Sequence, residues 1–480
     1  MHKRMGTTAV LLVVLLASFA VAVSDYSDAE SPAVGPNSLG ESSYMFDSTV
    51  TPFTFPECKG IPVMNAINDA TTSIRISVYL FSSKETIALL SQKANAGVKV
   101  EVLIDGTPLG VSSNNEMLMQ LDQQYHGDVR LINFKGAENA QFDYLHNKYA
   151  IIDEKKVIIT SENWTQGNFS SSTGNRGWGA IIESPAYASY MYNNIFKHDF
   201  EDDNDVNKIE DVYSPSIASK DAVGTYTLKS YTTTSYSGVK VYPAHSPDTS
   251  FNLMKEYMGT ATTRLYVEEL DISPKYANYT TDGPIKWMVD KANAGVDVKY
   301  VLDISYEKPK DQAHSQLIYD LNHDTKVKAS PIKGGTGFSI THNKGIIVDD
   351  AVWVGSVNMT PTSFHEDREM AVIIYSADVA NFYATSFNKD FNNNYDPEYK
   401  PGEYTMVNRV VDEVEEHPWY LAVIAVAIAA LGIIVKKVLI GGAKGGKKGA
   451  QKAAKSAGKS AAKKVFKSAA KEYSKSKKKK

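Results

Sequence analysis

Apolar and polar positions alternate in the same way in two separate parts of the chain. Residues 74–81 and 265–272 alternate with the two-residue period of a half-buried strand. A helical stretch follows each of them and ends near Gly97 or Gly295, where glycine can adopt the left-handed conformation that ends a helix. A buried strand, a variable loop region, two further strands and a last helix complete each part. This alternation of strands and helices predicts an α/β sandwich.

Short repeated motifs indicate that these two parts are a duplication. Three motifs occur twice in the same order: Lys-Ala-Asn-Ala-Gly-Val from Lys93 and Lys291, His-Asn-Lys from His146 and His342, and Phe-x-x-Asp-Phe from Phe196 and Phe387. The copies lie 198, 196 and 191 residues apart. Ordered matches with slowly drifting spacing are typical of homologous halves. We therefore predict one half in residues 55–202 and the other in residues 241–397.

The segments outside the two halves lack these patterns. Residues 24–54 carry serine, glycine and proline and are predicted to be a flexible leader. Residues 203–240 are predicted to be a solvated linker. The acidic spacing there suggests calcium at first, but the glycine and the final glutamate of an EF-hand loop are missing. Residues 398–417 are predicted to be a juxtamembrane linker.

Two apolar runs lie near the ends of the chain. Residues 9–23 follow a basic start and end in small residues, so residues 1–23 are predicted to be a cleaved signal peptide, with an uncleaved anchor as the alternative. Residues 418–440 are predicted to form a transmembrane helix, since aromatic residues precede the apolar run and lysines follow it. A buried soluble helix is the alternative, but it would need a partner core, and only a Lys-rich tail follows.

Charge is distributed unevenly along the chain. The formal net charge is −4, from 51 basic and 55 acidic residues. Seventeen lysines and one glutamate follow Val435, which leaves 34 basic and 54 acidic residues before that point. Residues 441–480 are therefore predicted to be a cytoplasmic tail that attracts anionic lipids, with nucleic-acid binding as the weaker alternative. Lysines on that side of the helix predict a single-pass protein of the cell membrane with its halves outside.

Several kinds of chemistry are disfavoured by what the sequence lacks. Its single cysteine, Cys58, cannot form an intramolecular disulfide or a thiolate metal site, and no neighbour in sequence would activate it as a nucleophile. The sequence contains no His-Glu-x-x-His, no phosphate-binding glycine loop and no Gly-x-Ser-x-Gly. Candidate chemistry therefore has to come from the repeated histidine motifs.

The repeated histidine motifs each predict a β-hairpin with polar side chains on one face. The first copy contributes His146, Lys148, Asp153, Ser161 and Asn163, and the second contributes His342, Lys344, Asp349, Ser356 and Asn358. Residues two apart share a face of a strand. If His146 pairs with Asn163, then Lys148 pairs with Ser161, and the second copy allows the same register. That register would gather an imidazole, an ammonium, a hydroxyl and an amide.

Such a pair of clusters predicts phosphoryl-transfer chemistry. A neutral imidazole can attack a phosphorus atom while a protonated one delivers a proton to the leaving oxygen. Two lysines and two amides can hold the non-bridging phosphate oxygens. Because the lysines supply the cationic field, we expect no metal ion and no cofactor.

The doubled His-x-Lys-x4-Asp motif, with Ser-x-Asn after each copy, resembles the phospholipase D superfamily over roughly residues 55–395. The resemblance implies a pseudo-two-fold, duplicated α/β sandwich with one active site shared by the halves. It also implies a two-step reaction through a covalent phosphohistidine. By that analogy His146 would be the nucleophile and His342 the general acid.

A carboxylate that often follows the second strand in this family is present only once. The family pattern is Asn-Arg-Glu. The second half ends its version with Glu369, whereas the first half ends with Gly177. We expect Glu369 to orient or polarise a catalytic imidazole, with a solvated surface ion pair as the alternative. The difference predicts that the two histidines are not equally active. Asp153 and Asp349 are expected to be structural and to hold the turns.

The resemblance leaves the substrate open among phospholipids, nucleic acids and other phosphodiesters. The acidic remainder argues against a non-specific nuclease, which would need positive charge over its footprint. A membrane tether favours a phospholipid, either hydrolysed or transferred as a cardiolipin synthase would do. A surface-anchored nuclease and a non-catalytic binding module on the same fold are the alternatives.

Overall fold

The computed structural model describes residues 44–109, 112–133, 140–202, 205–213, 226–308, 310–334 and 337–402. The predicted signal peptide (1–23), transmembrane helix (418–440) and Lys-rich tail (441–480) lie outside these ranges. So do residues 24–43 of the predicted leader and 403–417 of the predicted juxtamembrane linker. Within the described ranges, no helix combines the length and the apolar character needed to span a bilayer.

Strands and helices follow the same order in each half. The strands are β1 (Phe46–Phe55), β2 (Ser73–Val78), β3 (Lys99–Asp105), β4 (Asp128–Ile132), β5 (Lys148–Ile152), β6 (Lys156–Thr160), β7 (Gly177–Glu183), β8 (Asn207–Lys208), β9 (Tyr236–Ser246), β10 (Arg264–Glu269), β11 (Asp297–Asp303), β12 (Lys328–Ile332), β13 (Lys344–Val348), β14 (Ala351–Gly355) and β15 (Glu369–Tyr375). The helices are α1 (Ile61–Asp69), α2 (Lys84–Asn95), α3 (Asn115–Tyr125), α4 (Gln166–Ser170), α5 (Pro185–Met191), α6 (Lys197–Phe200), α7 (Ile209–Val212), α8 (Ser250–Gly259), α9 (Pro284–Asn293), α10 (Ala313–Asp324), α11 (Pro361–His365) and α12 (Ala377–Asn394). A π-helical turn, Tyr192–Phe196, joins α5 to α6.

Corresponding helices begin and end with the same local chemistry. The hydroxyls of Thr165 and Thr360 accept a backbone hydrogen bond at the start of α4 and α11. At the other kind of terminus, Gly97 (φ 91°) follows α2 and Gly295 (φ 96°) follows α9. These positive φ angles confirm the predicted left-handed ends, which favour glycine because it has no Cβ.

The strands form one 15-stranded sheet whose order is nearly a mirror image about its centre. That order is β12-β11-β10-β13-β14-β15-β9-β1-β7-β6-β5-β2-β3-β4-β8. Antiparallel pairing of β1 with β9 joins the two halves. In each half three neighbouring strands run parallel and are connected by helical crossovers. These strands are β2-β3-β4 in the first half and β10-β11-β12 in the second. The fold is therefore a mixed α/β fold with a duplicated domain, as predicted.

Strand residues of the two halves also pack against each other in a shared central core. This core contains Ile151 and Trp178 of the first half and Ile347 and Val352 of the second. A Cβ on Gly345 of β13 would lie only 2.3 Å from the Trp178 ring, so the glycine allows this close approach. Helices α1–α3 cover the outer face of the first half, and α8–α10 cover that of the second.

Two of the predicted boundaries are wrong. The predicted leader, 24–54, contains most of β1, which lies at the centre of the sheet and is mostly buried. The predicted linker, 203–240, contains β8 and the start of β9. Its residues 226–235 hydrogen-bond to the first half; for example, the Asn65 side-chain amide donates to Lys229 O at 2.8 Å. The predicted variable loop regions hold α3 with β4 and α10 with β12. Polar and Ser/Thr-rich composition concealed strands whose partners are distant in sequence.

Two buried ion pairs connect the halves. Arg368 donates two hydrogen bonds, of 2.9 and 2.8 Å, to the carboxylate of Asp199. Arg176 lies 2.6 Å from the carboxylate of Asp390. Each arginine directly precedes β7 or β15, and each aspartate belongs to a Phe-x-x-Asp-Phe motif of the other half. The repeated motif therefore marks the contact between the halves.

Candidate active site

The histidine motifs form the two predicted hairpins, but their register differs by one residue from the prediction. Tyr149 pairs with Ile159, where the predicted register would place Thr160. In the second half Ile346 pairs with Trp353 instead of its neighbour. The reason is that each turn is one residue shorter than expected. Positive φ angles at its start, 54° at Asp153 and 48° at Asp349 in the second half, allow this tight reversal.

Ser161 and Ser356 follow these strands and bind backbone groups. The Ser161 hydroxyl accepts a hydrogen bond of 3.0 Å from Trp178 N, and the Ser356 hydroxyl accepts one of 3.1 Å from Met370 N. Both serines are fully buried. These hydrogen bonds attach the hairpins to β7 and β15, and the Ser356 hydroxyl also hydrogen-bonds Glu369. A role of the two hydroxyls beside the histidines stays a prediction.

Each histidine is inserted beside a strand of the opposite half. His146 N donates to Arg368 O at 2.8 Å, and His342 N donates to Arg176 O at the same distance. Leu145 and Thr341, which precede the histidines, donate their own backbone N–H groups to aspartates at the ends of β3 and β11. Each histidine is therefore held by the backbone of the opposite half, and both histidines lie in one site.

His146 forms a close pair with Glu369. Its Nδ1 lies 2.8 Å from Glu369 Oε1, and the carboxylate is fully buried. The hydroxyl of Ser363 also donates to Glu369. This arrangement leaves Nε2 of His146 for chemistry. It favours the predicted orienting role of Glu369, and the buried position excludes the alternative of a solvated surface pair.

His342 has different partners. Its Nδ1 lies 3.0 Å from the backbone oxygen of Ser161 and 3.5 Å from Glu162 Oε1. Sequence reasoning missed Glu162, which is fully buried although it is charged. The signal that could have revealed it is a glutamate inside Ser-x-Asn, where the other half has Val357.

The two lysines occupy equivalent positions. Lys148 Nζ donates to His146 O at 2.7 Å, and Lys344 Nζ donates to His342 O at 2.7 Å. The pKa of Lys148 is lowered to about 7, mainly by burial; Glu369 opposes this shift and Lys344 adds to it. The pKa of Lys344 is also lowered by burial. An anion that enters the site would oppose these shifts and favour the charged ammonium form of both lysines.

Burial also lowers the pKa of both histidines, which favours their neutral forms. It lowers the pKa of His146 well below its ordinary value, and the charges on Lys148, Lys344 and His342 add to this effect. The pKa of His342 is lowered by burial and by Lys344. Burial raises the pKa of Glu369 to about 7. The mutual influence of these side chains places them in one electrostatic cluster.

The remaining predicted residues lie at the ends of the hairpins. Asn163 and Asn358 follow the buried serines, and their side-chain oxygens are buried without a hydrogen-bond partner in the described part of the chain. Asp153 and Asp349 lie at the opposite end, in the turns. Their carboxylates accept backbone hydrogen bonds from residues 71–73 and 262–264, which fits a structural role outside the histidine cluster.

No cluster of three or more histidine, cysteine, aspartate or glutamate side chains is arranged to hold a metal ion in the described ranges. Cys58 is buried, and burial raises the pKa of its thiol. Among the described residues of the candidate site, the lysines and, when protonated, the histidines are cationic.

The comparisons with known proteins place the fold and these motifs in one family. The family model described as "Cardiolipin synthase, PLD-like domain" matches residues 63–200 and 258–391, more than half of the chain. The chain belongs to the phospholipase D superfamily. The predicted family is thereby confirmed, and membership supports an activity on phosphodiesters or phospholipids. None of the curated proteins matches the chain.

Several solved structures are similar to this phospholipase D superfamily protein. Phosphatidylserine synthase from Haemophilus influenzae matches with a TM-score of 0.53 and 14% identity, over 76% of this chain and 93% of that one. Nuc, a phospholipase D family member from Salmonella typhimurium, matches with a TM-score of 0.27 and 23% identity, over 31% and 91%. Polyphosphate kinase from Porphyromonas gingivalis matches with a TM-score of 0.42 and 11% identity, over 76% and 56%.

This phospholipase D superfamily chain departs from the Asn-Arg-Glu pattern in both halves. Asp367 replaces the asparagine in the second half, and burial raises its pKa to about 8, with the charge of Glu369 adding to the effect. In the first half Asn175 is present and donates to Glu162 at 3.2 Å. The two halves therefore support their carboxylates with different side chains.

Proposed function

We propose that this protein is a phosphodiesterase of the phospholipase D type that acts through a phosphohistidine on His146. One observation carries the proposal: two histidines, one from each half, are oriented through Nδ1 and lie beside two buried lysines; His342 is buried and His146 is partly buried. Such a cluster combines a nucleophile, a proton carrier and cationic groups for a phosphate.

The reaction would proceed in two displacements. In the first, neutral His146 attacks phosphorus through Nε2, the bond from phosphorus to the leaving oxygen breaks, and His342, which enters this step as the imidazolium, gives that oxygen the proton on its Nε2. In the second, His342 takes a proton from water or an acceptor alcohol, whose oxygen attacks phosphorus and releases His146 Nε2. The protons balance over both steps, because His342 regains in the second what it gives in the first.

The assignment of the nucleophile rests on the difference between the two histidines. His146 lies 2.8 Å from a carboxylate, whereas the nearest carboxylate oxygen to His342 Nδ1 is 3.5 Å away. A close carboxylate stabilises positive charge on the ring during attack and supports the covalent intermediate. His342 with its looser contact suits repeated gain and loss of a proton.

We further propose that the substrate is a phospholipid. The chain before the Lys-rich tail is acidic, which disfavours a non-specific nucleic-acid footprint. Two large apolar side chains, Leu109 and Tyr306, are 68% and 74% exposed in the loops after β3 and β11. Leu109 N donates to Tyr79, whose ring packs edge-on against His146. Tyr306 lines a cavity of about 490 Å³ together with Asp303. We call Leu109 and Tyr306 the rim residues, and they could contact acyl chains.

The proposed location is the outer side of the cell membrane, with the helix at 418–440 as a single-pass anchor and the Lys-rich tail in the cytoplasm. The support is the charge asymmetry around that apolar run. Protease treatment of intact cells should remove the two halves and spare the tail. Labelling of Lys480 by an impermeant reagent from outside would overturn this orientation.

The covalent mechanism is tested with a p-nitrophenyl phosphodiester and mass spectrometry of acid-quenched and neutral-quenched protein. His342→Ala should become phosphorylated on His146 and stall, because p-nitrophenol needs little protonation to leave. His146→Ala should carry no adduct. An adduct on His342 in His146→Ala would reverse the roles of the two histidines. Absence of any adduct, with wild-type turnover intact, would contradict the covalent mechanism.

The substrate is tested with the same protein on phospholipid vesicles and on single-stranded DNA. Release of a head group or its transfer to an alcohol supports the proposal. Cleavage of DNA alone would make the protein a nuclease. No turnover of vesicles, of DNA or of the p-nitrophenyl phosphodiester would support a binding module.

A further inference from the structure

The two halves of the site obtain their buried carboxylate from different positions. Glu369 is the first residue of β15 and lies against His146 of the opposite half. The corresponding first residue of β7 is Gly177, which has no side chain to offer to His342. The sequence alone therefore suggests that His342 lacks a partner carboxylate.

Glu162 fills the space that Gly177 leaves. A Cβ built on Gly177 would lie 2.2 Å from Glu162 Oε1 and 2.5 Å from the Ser161 hydroxyl oxygen. A carbon atom cannot approach a non-bonded oxygen so closely, so this position of Glu162 requires glycine at position 177. The carboxylate thus reaches His342 from the end of β6 instead of the start of β7.

The second half shows the opposite arrangement. The residue that corresponds to Glu162 there is Val357, which is fully buried in the apolar core of that half. In each half a glutamate therefore occupies one of these two positions, and an uncharged residue, Gly177 or Val357, occupies the other. The support residues also correspond, since Asn168 binds Glu162 and Ser363, 195 residues later, binds Glu369.

Glu162 is held so that one oxygen faces His342. The amides of Asn168 and Asn175 donate to Oε2 at 3.0 and 3.2 Å. The other oxygen, Oε1, is buried without a hydrogen bond and lies 3.5 Å from His342 Nδ1. An anionic oxygen in this position gains a strong partner only when the imidazole becomes positively charged.

We propose that Glu162 is the positioning residue of His342 and replaces the carboxylate missing at Gly177. The inference rests on the proposed function, because it concerns the proton that His342 carries. When His342 takes a proton from water or an acceptor alcohol, Glu162 stabilises the imidazolium. Ser161 O holds the hydrogen on Nδ1, so that Nε2 is the atom that exchanges the proton. Glu162 itself touches no reacting atom.

The first test measures His342 directly and needs no turnover. Side-chain NMR of histidine-labelled protein gives the pKa of both histidines, assigned with His146→Ala and His342→Ala. Besides Glu162, the charged groups that face His342 are Lys344 and Lys148, which both disfavour its protonation. Glu162→Gln should lower the pKa of His342 by about one unit or more and leave that of His146 nearly unchanged. Glu154→Gln, which removes an exposed carboxylate beside the β5–β6 turn, is the matched control and should change neither.

The second test moves the carboxylate. Glu162→Gln should reduce kcat on a p-nitrophenyl diester about 100-fold, because breakdown of the phosphohistidine needs His342 as a base, whereas the initial burst of p-nitrophenol should slow much less. Gly177→Glu alone should be inactive or unfolded because of the clash. The double variant Glu162→Val/Gly177→Glu copies the second half and should recover activity to within about tenfold of wild type.

The outcomes separate this inference from the proposed function. An unchanged His342 pKa in Glu162→Gln, with the protein folded, would overturn the positioning role even if the enzyme is active. Equal slowing of the burst and of kcat, together with failure of the double variant to recover, would also overturn it. If wild-type protein turns over no phosphodiester but the NMR shift appears, the proposed function fails while the coupling of Glu162 to His342 stands.

Discussion

Lys148 is the residue whose protonation should control how the site binds an anion. Burial lowers its pKa to about 7, so close to neutral pH it exchanges its proton readily. A phosphodiester anion in contact with Nζ would favour the charged form. Because Lys148 loses its charge as pH rises through its pKa, anion affinity should fall on the alkaline side.

We predict that affinity for dimethyl phosphate falls between pH 6 and pH 8.5, by up to about tenfold per pH unit above the Lys148 pKa. This ligand keeps a single charge over that range, so the protein alone causes the change. Calorimetric titration measures it. Lys148→Met should bind weakly at both pH values, and the exposed Lys229→Met should behave as wild type. An affinity that does not vary with pH in the wild type would contradict the prediction.

At this scale the sequence identified residue types better than partners. The histidines and lysines were predicted from two copies of one motif, and the carboxylate of Glu369 was correctly expected near an imidazole. Glu162 stands out in the sequence only as a glutamate inside Ser-x-Asn, and its role could not be predicted because that role depends on the space above Gly177. That space appears only when β6 and β7 lie side by side.

Among the elements, the two hairpins are fixed at their turns by the aspartates that end the motif. Asp349 accepts backbone hydrogen bonds of 2.8 to 2.9 Å from Thr262, Thr263 and Arg264. Burial alone would raise its pKa, but these hydrogen bonds and those of the threonine hydroxyls lower it below its ordinary value. A lowered carboxylate pKa means that the stabilisation exists above the unfolded-state pKa, near 4, and is lost as pH falls.

Asp349→Asn should lower the free energy of unfolding by about 1.5–3 kcal/mol at pH 7, since it weakens several charge-assisted hydrogen bonds. The loss should shrink below about pH 4, where the wild-type carboxylate also becomes neutral. Urea unfolding at both pH values measures this. The exposed neighbour Asp350→Asn should have little effect, and turnover by the folded variant should stay near wild type. A clear loss of turnover by the folded Asp349→Asn protein would instead indicate that Asp349 takes part in the reaction.

The same elements show where pattern reasoning stops. The strands around each histidine were predicted from their apolar runs, yet the register was off by one because turn conformation, not side-chain chemistry, sets it. Strand β1 was mistaken for a leader, because its polar and proline-containing sequence is stabilised by β7 and β9 far along the chain.

Across the whole molecule, the site exists only where the halves meet. The ion pair of Arg368 with Asp199 is buried and crosses between them. We predict that Asp199→Asn destabilises the protein by about 3–5 kcal/mol, because it removes the doubly hydrogen-bonded counter-charge of a buried guanidinium and leaves it only Asp248, at 3.2 Å. Thermal unfolding measures the change. Arg368→Met/Asp199→Leu, which removes both charges, should recover much of the stability, and a double variant no better than Asp199→Asn would argue against the pair.

The rim residues predict how the intact protein would meet its substrate. If Leu109 and Tyr306 contact acyl chains, Leu109→Ser/Tyr306→Ser should lower turnover of vesicle phospholipid by about tenfold or more, since losing even part of one buried apolar side chain removes about 1.5 kcal/mol of binding. Turnover of a soluble p-nitrophenyl phosphodiester should not change, because neither side chain belongs to the histidine cluster. Leu228→Ser is the matched control. Leu228 is 58% exposed, but it lies in the segment predicted to be a linker, beside Lys229, which pairs with Glu85 of α2. Equal losses on both substrates would show that the rim residues stabilise the site itself. No loss on vesicles would remove the structural support for a lipid substrate and leave the head-group chemistry to be decided by the turnover assays alone.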